Sequence, residues 1–377
     1  MSLGLYLHFP FCRNTCSYCD FYKELHSPEQ ERAFFSALEI ETRLAAEQLQ
    51  DRDIRTIYVG GGTPSLSNLE LFARWLEQVR GLFHVLRGIE FSFECNPESV
   101  SVDGLERLGE LGVNRPVFGV QSFDKKLLKR LGRRHNVHDT HQSVYLANAL
   151  SFATFGVDQI FGIPGQTGKM LSTDLDAIVD LQAPHISYYH LTVEPGTPLA
   201  EKVDAGKLRI PEADRVAAFY RAGCEFFAEA GYKRYEICSF AKPGHECKHN
   251  LGYWEGEAYI GLGPAAHSFV GEQRFYNPRS IDEWASALHE GNHPGVPDDS
   301  GPDERMTEAI MLGLRISRGI DRARFAERFD CDLDSRLNSQ QYEILVKAGY
   351  LISEPGALRL SDEGFYLADE IARRLLK

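Results

Sequence analysis

Leu5-Tyr-Leu-His-Phe-Pro-Phe-Cys12-Arg-Asn-Thr-Cys16-Ser-Tyr-Cys19 is an apolar run followed at once by three cysteines in C-x3-C-x2-C spacing. The run from Leu5 to Pro10 reads as a strand, so the cysteines fall in the loop that leaves it. Five more runs of this kind follow, at Ile54 to Val59, Ile89 to Cys95, Val113 to Gln121, Thr154 to Phe161 and His185 to Leu191. The stretches between them have room for helices, and parallel strands need crossovers of about a dozen residues or more. The first crossover has Ser27 as N-cap, Pro28 at the first helical position and Gln30 placed to close a capping box, then Phe34, Leu38 and Leu44. Six consecutive βα units predict an α/β fold, a partial (β/α)6 TIM-like barrel, with functional residues where strands end and loops begin.

A chain of 377 residues is long for one compact domain, so a second, smaller unit is expected. Residues 291–302, Gly-Asn-His-Pro-Gly-Val-Pro-Asp-Asp-Ser-Gly-Pro, read as a linker between a barrel with its extension at 1–290 and a tail at 303–377. The tail shows helical periodicity to Gly349, a hairpin from Tyr350 to Leu360 and a last helix, an order that resembles a winged helix. It carries twelve basic and fourteen acidic residues, which is no electrostatic footprint for DNA. The whole chain has a net charge of -13, which opposes nucleic acid and anionic lipid.

No stretch approaches about eighteen consecutive apolar residues, and no basic or apolar leader precedes the first strand. Neither an integral membrane segment nor export is expected, and the lead Met1-Ser2-Leu3 is compatible with an expression scar. Eight cysteines, three of them crowded into eight residues, do not form a secreted disulfide pattern. A cytoplasmic location is the expectation.

Three thiolates on one loop suit a four-iron cube with one iron left open. A cluster used only for electron transfer normally takes four protein thiolates, and a missing one leaves a coordination site for a substrate or cofactor. The alternatives are a zinc site, which wants four ligands, and three unligated cysteines packed as small hydrophobes.

With Tyr6-Leu-His-Phe-Pro-Phe-Cys12 and the cysteine spacing, the chain resembles the radical S-adenosylmethionine (SAM) superfamily. Within it the chain resembles the branch of oxygen-independent coproporphyrinogen III oxidases and HemW-type heme chaperones, over nearly its whole length. The resemblance implies a [4Fe-4S] cluster on Cys12, Cys16 and Cys19, whose open iron chelates the methionine amine and carboxylate of SAM. An electron from the cluster then breaks the sulfur–carbon bond, so the cofactors carry the hard chemistry. Tyr6 should lie against SAM or the cluster, and the backbone of Tyr18 should face the adenine. Gly60-Gly61-Gly62-Thr63 follows the second strand, where glycines let backbone amides approach the methionine groups; alone, such a triplet signals only a turn. Glu94, Gln121, Arg133 and Asp158 fall at the branch's positions for a polar SAM pocket. An Arg can fork to a carboxylate and an Asp can accept from ribose hydroxyls. Pro116 departs from the branch's usual aliphatic residue and predicts an irregular start to that strand.

Two functions compete on quotable residues. An oxidase of this branch abstracts hydrogen from a propionate of coproporphyrinogen III, after which carbon dioxide leaves; a HemW-type protein binds heme and passes it to an acceptor protein, which remains unidentified. The oxidases carry a further cysteine two positions after the third, where this chain has Asp20-Phe21, and a longer N-terminal extension. His249-Asn-Leu-Gly-Tyr253-Trp254 matches the His-Asn-x-x-Tyr-Trp motif of the heme-binding branch, which implies His249 as an axial ligand with Tyr253 and Trp254 against the macrocycle. The plainer reading is a histidine hydrogen-bonded beside two core aromatics.

Cys238, His245, Cys247 and His249 are four metal-capable side chains, but their spacing is unlike a zinc finger. His185, Glu194 and Glu236 are read as structural, and Cys95, Cys224 and Cys331 as packing. The expectation is therefore a heme chaperone, with the oxidase as alternative. No residue is singled out as catalytic, and an electron donor such as flavodoxin or ferredoxin is the implied redox partner.

Overall fold

The structure, a computed structural model, describes residues 2–49, 53–298 and 300–376; Met1 of the lead and Asp299 of the expected linker lie outside them. The chain begins with β1 (Ser2–Phe9), and β2 (Phe11–Cys12) pairs in parallel with β3 (Glu24–Leu25), bracing the cysteine loop at both ends. Then α1 (Pro28–Gln48) crosses to β4 (Asp53–Gly61), α2 (Leu69–Leu82) to β5 (His84–Cys95) and α3 (Val102–Glu110) to β6 (Arg115–Gln121). Helices α4 (Lys125–Leu131) and α5 (Val137–Ala149) lead to β7 (Gly156–Phe161), and α6 (Gly168–Asp180) to β8 (His185–His190). All six apolar runs are thus strands, paired in parallel in the order β1-β4-β5-β6-β7-β8.

After α7 (Pro198–Asp204) and α8 (Ala213–Glu229) come β9 (Lys233–Arg234), β10 (Ser239–Ala241), α9 (Lys248–Trp254) and β11 (Tyr259–Leu262). Strand β11 lies parallel to β1 on its free side, a seventh parallel strand beyond the six expected. An antiparallel run of β12 (His267–Val270), β13 (Gln273–Tyr276) and, after α10 (Ile281–His289), β14 (Val296–Asp298) continues that edge. The result is one twelve-stranded sheet, β14-β13-β12-β11-β1-β4-β5-β6-β7-β8-β10-β9, whose end strands do not meet: an open barrel. Helices α1, α2 and α10 bury Phe34, Trp75 and Trp284 against it. The stretch expected as a free linker contributes β14 to the sheet edge, and its Pro302 starts α11 (Pro302–Gly313).

The tail continues with β15 (Ile320–Asp321), α12 (Arg322–Phe329), α13 (Leu333–Arg336), α14 (Ser339–Lys347), β16 (Leu351–Ser353), β17 (Ala357–Leu360), α15 (Asp362–Phe365) and α16 (Ala368–Leu375). A small sheet β15-β17-β16 and a separate core around Leu314, Phe325, Leu358 and Leu375 give it the winged-helix-like build. It meets the barrel at the Glu236–Ile316 bridge and through Ser317 N donating to Tyr235 O at 2.9 Å.

Two local expectations are corrected. Ser27 does sit at the helix start, but its side chain makes no capping bond. The turn is held from outside instead, because the neighbouring Glu31 carboxylate takes His26 Nε2 at 2.9 Å and the Asn68 amide at 2.6 Å. Pro116 does not disturb β6, which stays in register with Phe93 and shifts only between Phe118 and Gln121. Pairing to β7 begins one residue after it, so a missing amide near the strand start is tolerated.

Candidate functional site

The cysteine loop is fastened to the end of α4. Ser17 donates its amide to Leu131 O at 2.9 Å and its hydroxyl to Arg130 O at 2.7 Å, and Asn14 Nδ2 reaches Gly132 O at 3.4 Å. Gly132 has φ 77°, and a Cβ there would lie 3.0 Å from Ser17 N, so only glycine lets the helix end come this close. On the other side Leu199 N, in α7, donates to Ser17 O at 2.8 Å. All eight cysteines are free thiols. Thr63 Oγ1 donates to Cys12 Sγ at 3.4 Å and Arg133 Nη1 to Cys16 Sγ at 3.7 Å. Burial pushes the Cys12 thiol up to about 11 and that of Cys19 upward. Among the described residues no three His, Cys, Asp or Glu side chains close on a single metal ion. Cys12, Cys16 and Cys19 all line one cavity, and three thiols on one loop are a donor set that suits a four-iron cube with one iron left open.

Beside the loop opens a cavity of about 500 Å³, lined by Cys12, Cys16, Cys19, Tyr18, Gly61, Gly62, Thr63, Glu94, Gln121, Arg133 and Asp158. Eleven of the fourteen residues read from the sequence therefore line one cavity. Gly62 lies so close to the loop that a Cβ would come within 2.6 Å of Phe11 O, and Gly61 has φ 108°. Glu94 Oε1 accepts from Tyr58 Oη at 2.9 Å and Oε2 from Gly61 N at 3.2 Å. Burial, then the charge of Asp158, raises Glu94 to about 7. Burial raises Asp158 to about 6 against the opposing pull of Ser187, Arg115 and Arg133. Burial disfavours the charged form of both carboxylates, and a positive charge brought beside them would favour it, so the pair suits a cationic ligand.

Arg133 Nη2 donates to Asn96 Oδ1 at 2.7 Å and Gly119 O at 3.0 Å, which aims the guanidinium between cluster loop and cavity. Gln121 sits in the left-handed region, φ 65°, with its buried Oε1 unpartnered, a strained position at the cavity wall. These residues fit a zwitterionic nucleoside such as SAM next to a cluster.

Tyr6, His249 and Tyr253 stand apart from the cavity. Tyr6 packs on Tyr58 at 6.2 Å between ring centroids, with its hydroxyl 3.1 Å from His8 Nδ1. His249 is buried under the barrel, its Nδ1 2.8 Å from Thr56 Oγ1 and its Nε2 2.8 Å from Tyr253 Oη. Burial lowers its pKa to about 3. Both ring nitrogens are engaged in this conformation, so ligation of a heme iron by His249 would require one of these hydrogen bonds to be given up. His245 meets Thr154 and Cys247 meets Glu90, so these two metal-capable side chains of that segment have different partners.

Reasoning from sequence missed Tyr58, Asn96, Arg115 and Tyr189, which also line the cavity. Arg115 had a signal, a charge inside an apolar run; Tyr58 and Tyr189 look like ordinary strand aromatics. His185 and Glu194 reach the cavity as well, whereas Glu236 is buried away from it.

Residues 6–178 match the model of the radical SAM superfamily and residues 301–367 that of the HemN C-terminal domain. The chain is 33% identical to a Bacillus subtilis protein named heme chaperone HemW, across 97% of both chains. It is 35% identical to a Mycobacterium tuberculosis protein of the same name, across 99% of this chain and 94% of that one. A Danio rerio protein named radical S-adenosyl methionine domain-containing protein 1, mitochondrial, is 32% identical across 99% and 86%. Among solved structures, coproporphyrinogen III oxidase (HemN) from Escherichia coli superposes with TM-score 0.85 over 99% of this chain and 89% of that one, at 22% identity, a likeness of fold. Identity of this size sustained through barrel and tail alike means that the chain belongs to the radical SAM superfamily and, within it, to the HemW family.

Proposed function

We propose that the chain is a cytosolic heme chaperone built on a radical SAM core, which binds heme and hands it to an acceptor protein. The observation that carries this reading is the end-to-end identity with proteins named heme chaperone HemW. Phe21 supports it, since a 65% exposed phenylalanine stands where the resemblance places a further cysteine in the oxidases. No helix among the described residues is long and apolar enough to cross a membrane, and the eight cysteines form no disulfide among the described residues.

In this reading Cys12, Cys16 and Cys19 hold the [4Fe-4S] cluster and leave its remaining iron to SAM. Bound together, cluster and SAM supply one-electron chemistry, for which a flavodoxin or ferredoxin is the electron source. Gly61 and Gly62 would bring backbone close to the methionyl end, and Glu94 would accept from its amine. Arg133 and Gln121 serve the carboxylate and Asp158 the ribose hydroxyls, with Tyr18 along the adenine and Thr63 fixing Cys12. Tyr6 supports Tyr58, which orients Glu94. His249 and Tyr253 are hydrogen-bonded to each other beside Tyr58.

The test is anaerobic. Protein with a reconstituted and iron-counted cluster, given SAM, reductant and coproporphyrinogen III, should form no protoporphyrinogen IX beside an active oxidase control. The same protein should bind heme in titration and release it to an apoprotein. Multiple turnovers to protoporphyrinogen IX would make it an oxidase.

A further inference from the structure

The chain carries 41 basic and 54 acidic residues, yet the two segments that meet beside the cluster loop reverse that balance. Residues 13–23 and 125–134 together hold eight basic side chains and one acidic, Asp20, and Asp20 is already paired with Arg279. Arg13, Lys125, Lys126, Lys129 and Arg134 are exposed, and among the described residues none of the five has an acidic partner.

Their place is set by contacts already described. Asn14, next to Arg13, bonds Gly132 O, and Ser17 bonds Leu131 O, so the end of α4 and the loop form one face. Arg133 runs inward from this face to Cys16 Sγ. A strongly anionic molecule that gathers unpaired cations at one spot attracts an acidic partner there and repels it elsewhere.

We propose that the face formed by Arg13, the outer side of α4 and Arg134 is the docking surface for an acidic one-electron carrier protein of the flavin or iron–sulfur class. The inference rests on the radical SAM reading of the cysteine loop. The step served is the transfer of one electron: the carrier is oxidised by one, the cluster is reduced by one, and no bond forms or breaks. Docking here places the carrier against the loop that holds the cysteines, with the short path through Ser17 and Arg133 beneath it.

Binding of an oxidised flavodoxin of net negative charge to the full-length protein without its cluster, followed by surface plasmon resonance at low and high salt, tests the face. The wild-type Kd should rise with salt, and Lys125→Glu, Lys126→Glu and Lys129→Glu combined should raise it about tenfold or more at low salt. A control reversal, Lys347→Glu in the tail, should leave it unchanged. In the reconstituted protein the triple variant should slow reduction by flavodoxin and leave reduction by dithionite at high salt unaltered. A Kd that ignores salt, a Kd unchanged by the triple variant, or equal weakening by Lys347→Glu would overturn the proposal. So would selective binding of anionic phospholipid vesicles or RNA through the same lysines without flavodoxin. Because binding is read without the cluster, failed reconstitution would count against the cysteine assignment while the binding result still decides this face.

Discussion

Nδ1 of His249 lies 2.8 Å from the hydroxyl of Thr56, on a strand 193 residues earlier in the chain, while Nε2 lies 2.8 Å from the hydroxyl of Tyr253. The neutral ring is a brace under the barrel, with one nitrogen donating and the other accepting. His249→Ala removes two buried hydrogen bonds and leaves a void, an expected loss of about 2–4 kcal/mol. Burial holds the folded ring at about 3 against an ordinary 6.5, so below pH 6.5 the unfolded chain takes up a proton that the folded chain refuses. The stability contributed by His249 is whole above pH 6.5 and is lost as pH falls toward 3, at about 1.4 kcal/mol per unit. Urea titrations of both proteins between neutral pH and pH 4 should show their gap narrowing, with the heme spectrum of the folded variant unchanged. A pH-independent gap, or a lost axial ligand at constant Tm, would return His249 to the heme.

Glu94 at about 7 and Asp158 at about 6 predict how SAM binding depends on acidity. A ligand with a positively charged sulfonium group favours the ionised carboxylates, so protons must leave before it binds. Affinity should rise with pH up to about 7 and then level, with Kd changing up to about tenfold per unit for each proton released. Glu94→Gln should weaken binding and remove one proton from the slope. Equilibrium dialysis of SAM against the reconstituted protein measures both; a flat wild-type profile would separate Glu94 from the ligand.

The parallel core was legible because its strands are buried on both faces and so appear as nearly continuous apolar runs. The cysteine loop was legible because few spacings place three thiolates on one turn. Strands β9 to β14 were not, since each has two to four residues, too few to show a period. The setting of His249 was not legible for another reason: α9 has only seven residues, and a motif does not say which side of so short a helix faces the barrel. Tyr58 and Asn96 were missed because a strand aromatic and a turn asparagine are common, and only their contacts with Glu94 and Arg133 distinguish them.

Gly62 separates the second strand from the cysteine loop by less than a methyl group. Gly62→Ala would place a Cβ 2.6 Å from Phe11 O and 2.9 Å from Phe11 N, both backbone atoms that no rotamer change can move. The loop must shift as a body, at a cost of about 1–3 kcal/mol. The expected outcome is a protein with a native circular-dichroism spectrum and a Tm lowered by a few degrees that takes up less iron on reconstitution. Full iron uptake with unchanged SAM affinity would mean that the loop has room to spare.

Arg133 ties the cluster loop to the cavity, since one guanidinium holds Cys16 Sγ at 3.7 Å, Asn96 Oδ1 at 2.7 Å and Gly119 O at 3.0 Å. Lysine keeps the charge but is a point donor without the planar fork, so it cannot span all three. Arg133→Lys should therefore keep the cluster, because Cys12, Cys16 and Cys19 remain, and lose about 1.5–3 kcal/mol of SAM binding, roughly ten- to a hundredfold in Kd. Cys16→Ala should do the reverse in kind: visible absorbance and iron content fall to the apoprotein level, and SAM binding falls with them because its open iron is gone. Iron analysis and SAM dialysis on the two variants distinguish the roles. Equal iron loss in both would make Arg133 part of the cluster's support alone, and a full four-iron complement in Cys16→Ala would remove that cysteine from the cluster.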